Sequence, residues 1–592
     1  MSNEWSLKEL YNSFSSNEFK NDLGKLDKNI EEIEEFSVKI NEDKDTNSNL
    51  EFIVNKLEET YLLINKLSAF SNLTLSTNSK DAEGRKYSDV INSKYSKLAE
   101  PLTKVYKWIG NIENLEEVIN TSNVLKEHRF FINELKEKNK YMLNEKEEGI
   151  IAKMQNTGSN AWGNYKDYLI STHKVNINLD NEEKELPLTV VLNMAYDNNK
   201  EVRKKAYEAE IKSYEKIEEG VAAALNGIKG EVITISDLKG YKSPLHMTLE
   251  ESRLDEEILN SMLDAIRESL PVFRKYLKRK AELLGYENGL PFYELYAPVI
   301  QKEMKFNFED GKAFVEKNFR SFSDNLANFA VKAFENSWID VYPKEGKVGG
   351  AFCSSIKALN ESRILLNYGD SFSDVVTMAH ELGHGFHGKC LENETALNSE
   401  YPMTLAETAS NFCEIIVKKG AIKEASKEEA FAILEAEISD CTQVIVDIYS
   451  RFLFESEVFE KRKESSLSVE EINNAMLSAQ KEAYGDGLDP NYMHKYMWTW
   501  KPHYYYASAN FYNFPYAFGN LFAKGLYAEY LKRGESFTSE YEKLLAITGK
   551  EKVCDVTKVM NINVHDINFW RSSLKLIEED IENFIKLSYE IK

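Results

Sequence analysis

The chain has 592 residues, of which 42% are hydrophobic and 29% charged, a soluble globular composition that is neither disordered nor membrane-spanning. Its 74 basic against 97 acidic residues leave a net charge of −23, which repels phosphate backbones and anionic lipid surfaces, so neither nucleic acid nor membrane is an expected partner. The start, MSNEWSLKELYNSF, has no basic segment followed by an apolar one, and no run of 18 apolar residues occurs, so a cytoplasmic protein is expected. Five cysteines, at 353, 390, 413, 441 and 554, are odd in number and free of any CxxC pair, which argues for a reducing compartment and against a thiolate metal site.

Glycine and proline together reach about half their average share, which points to helix. From Leu7 to about Ser171, apolar residues recur at spacings of three and four, as in Leu57, Leu62, Ile64 and Leu67, predicting stacked amphipathic helices. Residues 172–188 break that period with Asn, Asp and Pro and read as a connection, which sets an expected division into a helical lobe, 1–190, and a second domain, 191–592. Helical patterning resumes from Asn199 to about Leu284. Between Gly285 and Gly369 the texture changes, and Trp338–Tyr342 and Arg363–Tyr368 read as strands of a small sheet. From Asp374 onward the pattern is helical again. The expected fold class is mainly α, with a small β-sheet.

Three of the nine histidines, His380, His384 and His387, lie within eight residues, and the first two bracket a glutamate in His380-Glu381-Leu382-Gly383-His384, an HExxH pattern. On a helix, a separation of four places both imidazoles on one face about 5–6 Å apart, near enough to hold one zinc ion. Glu381 can then face a water molecule as general base, taking its proton and passing it to a leaving amine. Ser371 to Asp374 has the capping-box form, and Val375, Ala379, Leu382 and Phe386 make an apolar stripe, so a helix is predicted here. Gly383, Gly385 and Gly388 mark either close backbone packing, ligand approach or fraying.

A catalytic zinc site needs a third protein ligand. The metzincin extension fails because His387 and Cys390 stand where Gly and His are required, and thermolysin-like and aminopeptidase-like spacings fall on Thr404 and Met403. Of the downstream glutamates, Glu392, Glu394, Glu400, Glu407 and Glu414, the one at 407 opens a second predicted helix, Thr404 to about Lys419. Its competing reading is a capping box with Thr404. Glu414, two turns on, suits a carboxylate orienting a histidine, or is a plain surface acid.

His380-Glu381-x-Gly383-His384 followed by Glu407-x-x-Ser410-x-x-x-Glu414 resembles the thimet oligopeptidase and oligoendopeptidase F family of zinc peptidases. The oligoendopeptidase F branch is nearer, through Gly349-Gly350-Ala351-Phe352, Lys501-Pro502-His503-Tyr504-Tyr505 and Phe511 to Gly519. The resemblance implies a two-lobed helical metallopeptidase with a deep channel, one Zn2+ per chain held by His380, His384 and Glu407, and hydrolysis of short oligopeptides by a monomer or homo-oligomer. His387 and Glu414 are expected around the ligands or against substrate. Twelve of the 27 residues from Tyr492 to Phe518 are Tyr, Phe or Trp, with His503 among them. The resemblance gives a histidine and tyrosines of this region, fitting His503, Tyr512, Tyr505 or Tyr516, the task of stabilising the oxyanion, and aromatic packing is the competing reading. Gly349, Gly350 and Ala351 read as an edge strand for an extended substrate backbone or as a hairpin turn. The rival function is a helical HExxH dipeptidyl carboxypeptidase, for which Lys501 offers an anchor.

Overall fold

The computed structural model describes residues 3–40, 45–300, 302 and 304–591. Helices carry most of these residues, with two small sheets, as the glycine and proline shortage predicts. The chain divides into two compact units, each assembled from separate stretches of sequence.

The first unit comprises Met1–Glu145, Met304–Gly420 and Glu529–Ile562. In its helix Asn17–Lys39, the period of three and four buries Phe19, Leu26, Ile30 and Ile33 on one side. That stripe and the matching one from Thr46–Thr77 share a core with Ile356 and Leu365 of a three-stranded sheet. The sheet consists of β1 (Ile339–Asp340), β2 (Phe352–Ile356) and β3 (Glu361–Leu365), in the order β1-β3-β2. β1 lies parallel to β3, with Ile339 opposite Ile364, and β2 lies antiparallel, with Cys353 opposite Ile364. Of the strands expected from the sequence, Trp338–Tyr342 is present in shorter form and Arg363–Tyr368 is shifted toward the N-terminus, starting at Glu361 and ending at Leu365; hydrogen bonds from the Ile364 amide to the Trp338 carbonyl (2.9 Å) and from the Tyr368 amide to the Val341 carbonyl (3.0 Å) extend the pairing.

After the sheet comes α1 (Phe372–Cys390), then α2 (Thr408–Glu424). The expected capping box starts α1: the Asp374 amide donates to Ser371 Oγ (3.2 Å) and the Ser371 amide returns a bond to Asp374 Oδ2 (2.9 Å). Val375, Ala379, Leu382 and Phe386 are all buried, so the apolar stripe fixes which way the opposite, histidine-bearing face points.

The second unit comprises Lys146–Glu303, Ala421–Ala528 and Asn563–Lys592, so residue 190 lies within it. Its long helix Glu256–Leu284 packs on Ile567–Glu590, with Tyr276 edge-on to Phe584 at 5.2 Å. The stretch 172–188, read from sequence as a connection, is a β-hairpin, Lys174–Leu179 paired with Glu182–Pro187. Val175 and Ile177 alternate into the core, and Asp180 and Asn181 both take positive φ (55° and 66°), as a tight two-residue hairpin turn requires. The second strand, EEKELP, buries none of its side chains fully, so it carries no apolar period to read.

Candidate metal centre

The stripe that anchors α1 leaves His380 and His384 on one face, and their Nε2 atoms stand 3.1 Å apart. Glu407 Oε2 completes a near-equilateral triangle, 3.3 Å from His380 Nε2 and 3.5 Å from His384 Nε2. Glu407 does not sit where a capping box would place it. A short helix, Met403–Ala406, begins with Pro402 at its cap, and Glu407 occupies the break before α2. Ser410, one turn into α2, donates its hydroxyl to Glu407 Oε2 at 2.7 Å and holds the carboxylate at this break.

This geometry depends on Gly383. A Cβ there would lie 2.6 Å from the Ala409 carbonyl oxygen and 2.7 Å from Ser410 Cα, inside any real contact. Of the readings open for that glycine, close backbone packing is the one realised, and it brings the start of α2 against the middle of α1. Gly385 and Gly388 likewise face Phe329 and Ser355 side chains, at 2.7 and 2.8 Å from a Cβ.

His380 is oriented from behind: its Nδ1–H donates to Glu414 Oε1 at 2.6 Å, leaving the Nε2 lone pair for the triangle. Lys418, one turn beyond Glu414, donates to its other oxygen at 2.7 Å. Burial alone would raise the Glu414 carboxyl, but Lys418 and His380 outweigh it and hold it at about 2. Burial pushes His384 down to about 4 despite the attraction of Glu407, so it is a neutral imidazole at neutral pH, as a metal ligand must be. Glu381 is 6% exposed and pushed up to about 7, first by burial and then by Glu407 and Glu414, while His380 and the Cys353 backbone amide in β2 oppose the rise. Lys418 was legible as the residue four after Glu414 on one helix face; Ser410 belongs to the quoted motif without an assigned task.

The remaining sequence-derived candidates are placed as follows. His387 is fully buried, stacked on Tyr401 with ring centroids 4.1 Å apart, and its Nε2 is 2.8 Å from Thr548 Oγ1. Gly349, Gly350 and Ala351 form a turn into β2 rather than part of it: Gly350 has φ +78°, and Asn367 Nδ2 donates to the Val348 and Gly350 carbonyls at 3.0 and 2.8 Å. β2 itself stands at the sheet edge.

His503, Tyr512, Tyr516 and Tyr505 belong to the second unit. His503 stacks on Tyr512 (5.7 Å, 16° between planes) and meets Tyr516 and Tyr506 edge-on at 6.3 and 6.0 Å. Tyr506, not singled out from sequence, is thus part of the same cluster. The turn leading into Tyr512 is fixed by Phe511, held at φ 53° against Phe459, and by Asn510, whose side chain accepts from buried Lys229 at 3.1 Å. Burial pushes His503 down to about 4, with Arg451, Lys501 and Lys166 adding, so its ring is neutral at neutral pH. Its Nδ1 is buried without a hydrogen-bond partner among the described residues. Tyr505 differs: its hydroxyl is engaged, donating to the Trp498 carbonyl at 3.0 Å.

His380, His384 and Glu407 are the one group of three or more candidate metal ligands among the described residues, all donor atoms lying within 4.8 Å of one another. Tetrahedral ligands held about 2.0–2.1 Å from zinc lie roughly 3.3–3.4 Å from each other, so a His2Glu triangle with edges of 3.1, 3.3 and 3.5 Å fits such an ion.

Comparison with known proteins gives the family and the fold. The profile of peptidase family M3 matches residues 193–576, and that of oligopeptidase F matches residues 111–174. Oligopeptidase PepF of Bacillus subtilis is 24% identical over 513 residues, covering 85% of this chain and 76% of the relative. An oligoendopeptidase F homolog of Lactococcus lactis subsp. lactis is 25% identical over 573 residues, covering 92% and 91%. In fold, the chain is similar to a putative peptidase from Chlamydophila abortus (TM-score 0.86, 20% identity, 99% of both chains). It is also similar to oligoendopeptidase-F from Enterococcus faecium (TM-score 0.71, 17% identity, 97% and 99%). With the family profile spanning well over half of its length, the chain belongs to peptidase family M3 and is a metallopeptidase.

Proposed function

We propose that this enzyme is a cytoplasmic endopeptidase that hydrolyses short oligopeptides with one zinc ion held by His380 Nε2, His384 Nε2 and Glu407 Oε2. The triangle of these three atoms carries the reading. When bound, zinc supplies Lewis acidity that polarises a carbonyl and acidifies a water molecule.

The chain's own groups supply the rest. Glu381, raised toward neutrality in its buried position, takes a proton from the attacking water and delivers it to the leaving amine nitrogen. Glu414 keeps the His380 ring in one tautomer and one orientation, backed by Lys418. His503 N–H and the hydroxyls of Tyr512 and Tyr516 are assigned to the carbonyl oxygen as negative charge develops on it. Tyr505 is left out because its proton is already donated. The edge strand β2 suits pairing with an extended peptide backbone beside Glu381. Oligopeptides as substrates are supported by the names of the relatives. No helix among the described residues is long and apolar enough to cross a membrane, and all five cysteines are free thiols, which supports the cytoplasmic placement.

The test is hydrolysis of a peptide blocked at both ends, which a dipeptidyl carboxypeptidase leaves intact. Cleavage is expected, lost with chelator, restored by zinc, and reduced about 10²–10⁴-fold by Glu381→Gln with metal retained. Undiminished activity in metal-free protein would overturn the reading.

A further inference from the structure

The second unit encloses a cavity of about 370 Å³ walled by Tyr196, Phe292, Tyr293, Tyr296 and Trp500, large enough for a small ligand or a peptide side chain or two. The charged groups that line it differ in one respect. Arg203 is engaged, donating to Glu294 Oε2 at 3.0 and 2.6 Å and to the Asp197 carbonyl at 2.6 Å. Glu210 accepts from the Tyr214 hydroxyl at 2.7 Å and lies 2.9 Å from His494 Nε2. Lys501 has neither a hydrogen bond nor an ion pair among the described residues, and its ammonium rests 4.1 Å from the centroid of the Trp500 ring. The indole Nε1–H of Trp500 is also buried without a partner. Burial pushes the Lys501 amine down to about 7, with Arg451 adding and Asp447 and Glu210 opposing. Gln443 lines the same cavity from the π-helical stretch Thr442–Asp447, a distortion frequent at functional sites.

A half-buried ammonium without a counter-charge and a buried N–H without an acceptor are each costly, and one anionic acceptor satisfies both. Two donors match the two oxygens of a carboxylate, while the aromatic walls suit an apolar flank. We propose that this cavity binds a carboxylate of the peptide substrate, with Lys501 Nζ and Trp500 Nε1–H as its donors. This rests on the peptidase reading above. That carboxylate comes either from the peptide's free C-terminus or from an Asp or Glu side chain.

The experiment measures Kd by calorimetry on the full-length Glu381→Gln protein, which holds peptide without consuming it, alongside KM on the parent. One arm compares a peptide ending in a free acid with its C-terminal amide; the other compares Glu with Gln at each position along the peptide. The carboxylate form of at least one pair is expected to bind about tenfold more tightly. Lys501→Met should erase that ratio and Lys501→Arg should keep it, which separates lost charge from misfolding. Equal affinities in both arms, or a preference that survives Lys501→Met, would overturn the proposal. Failure of the parent to cleave any peptide would overturn the peptidase reading instead, because the binding preference is read without turnover.

Discussion

The His380–His384–Glu407 triangle and the His503–Tyr512–Tyr516 cluster are both centred on histidine, yet they are fixed by different forces. In the first, directional bonds hold one ring and both carboxylates: His380 to Glu414 at 2.6 Å, Lys418 to Glu414 at 2.7 Å, and Ser410 to Glu407 at 2.7 Å. In the second, the imidazole is held by one stacked and two edge-on rings with centroids 5.7–6.3 Å away, and its Nδ1 has no hydrogen-bond partner among the described residues. Directional bonds orient donor atoms to tenths of an ångström, as a metal requires. Ring packing fixes position without a directional bond to His503 Nδ1, which suits a group that acts on charge appearing only in the transition state.

The contrast can be broken most forcefully at the aromatic cluster. Tyr512→Phe and His503→Ala should lower kcat about 10²-fold with modest change in KM, since donors that act in the transition state do not report in the ground state. Steady-state kinetics and a thermal melt on each variant check this; a sharp fall in Tm with kcat intact would assign that ring to packing alone.

At the triangle, Gly383→Ala should cost about 1–3 kcal/mol, because the new methyl meets backbone of Ala409 and Ser410 that cannot rotate away. The strain falls on the approach of α2 to α1, so zinc affinity should drop with Tm. Competition with a fluorescent chelator reads the affinity, and an unchanged value would show that the ligands do not depend on this approach.

His387 sharpens the comparison from inside α1 itself. Burial, with His384 adding, pushes it from the ordinary 6.5 down to about 3, so the folded ring stays neutral where the unfolded one takes a proton. Its contribution is fully present above about pH 6.5 and is lost as pH falls from there toward 3, at up to about 1.4 kcal/mol per pH unit. His387→Gln should therefore flatten the acid limb of stability measured by urea unfolding at several pH values, and an unaltered slope would contradict the burial argument.

Much of the triangle was legible because helix geometry is local. The separation of four from His380 to His384, the capping box at Ser371 and the stripe from Val375 to Phe386 each follow from spacing along one helix. Glu407 was harder. The sequence pattern ran a helix through it from Thr404, whereas the helix breaks at Glu407, just before the Ala409–Ser410 backbone that packs on Gly383 of another element. The hairpin at Lys174–Pro187 escaped because its second strand begins with four charged residues and has Leu186 as its one aliphatic side chain, leaving Val175 and Ile177 to mark a period of two. Nor could periodicity show that the helices before Glu145 share a core with Ile356 and Leu365, since contacts over 300 residues leave no local trace. In the aromatic stretch, one composition covers three outcomes: Tyr505 bonded to backbone, Tyr512 stacked on His503, and Trp500 with its N–H unpaired among the described residues, beside Lys501.

The central claim is that Glu407 completes the metal centre, and the zinc content of purified Glu407→Ala, measured by mass spectrometry beside the parent and Glu400→Ala, tests it most directly. The parent and Glu400→Ala are expected to carry about one zinc per chain, and Glu407→Ala only a small fraction of that after dialysis. A Glu407→Ala protein as fully and as tightly loaded as the parent would contradict the account.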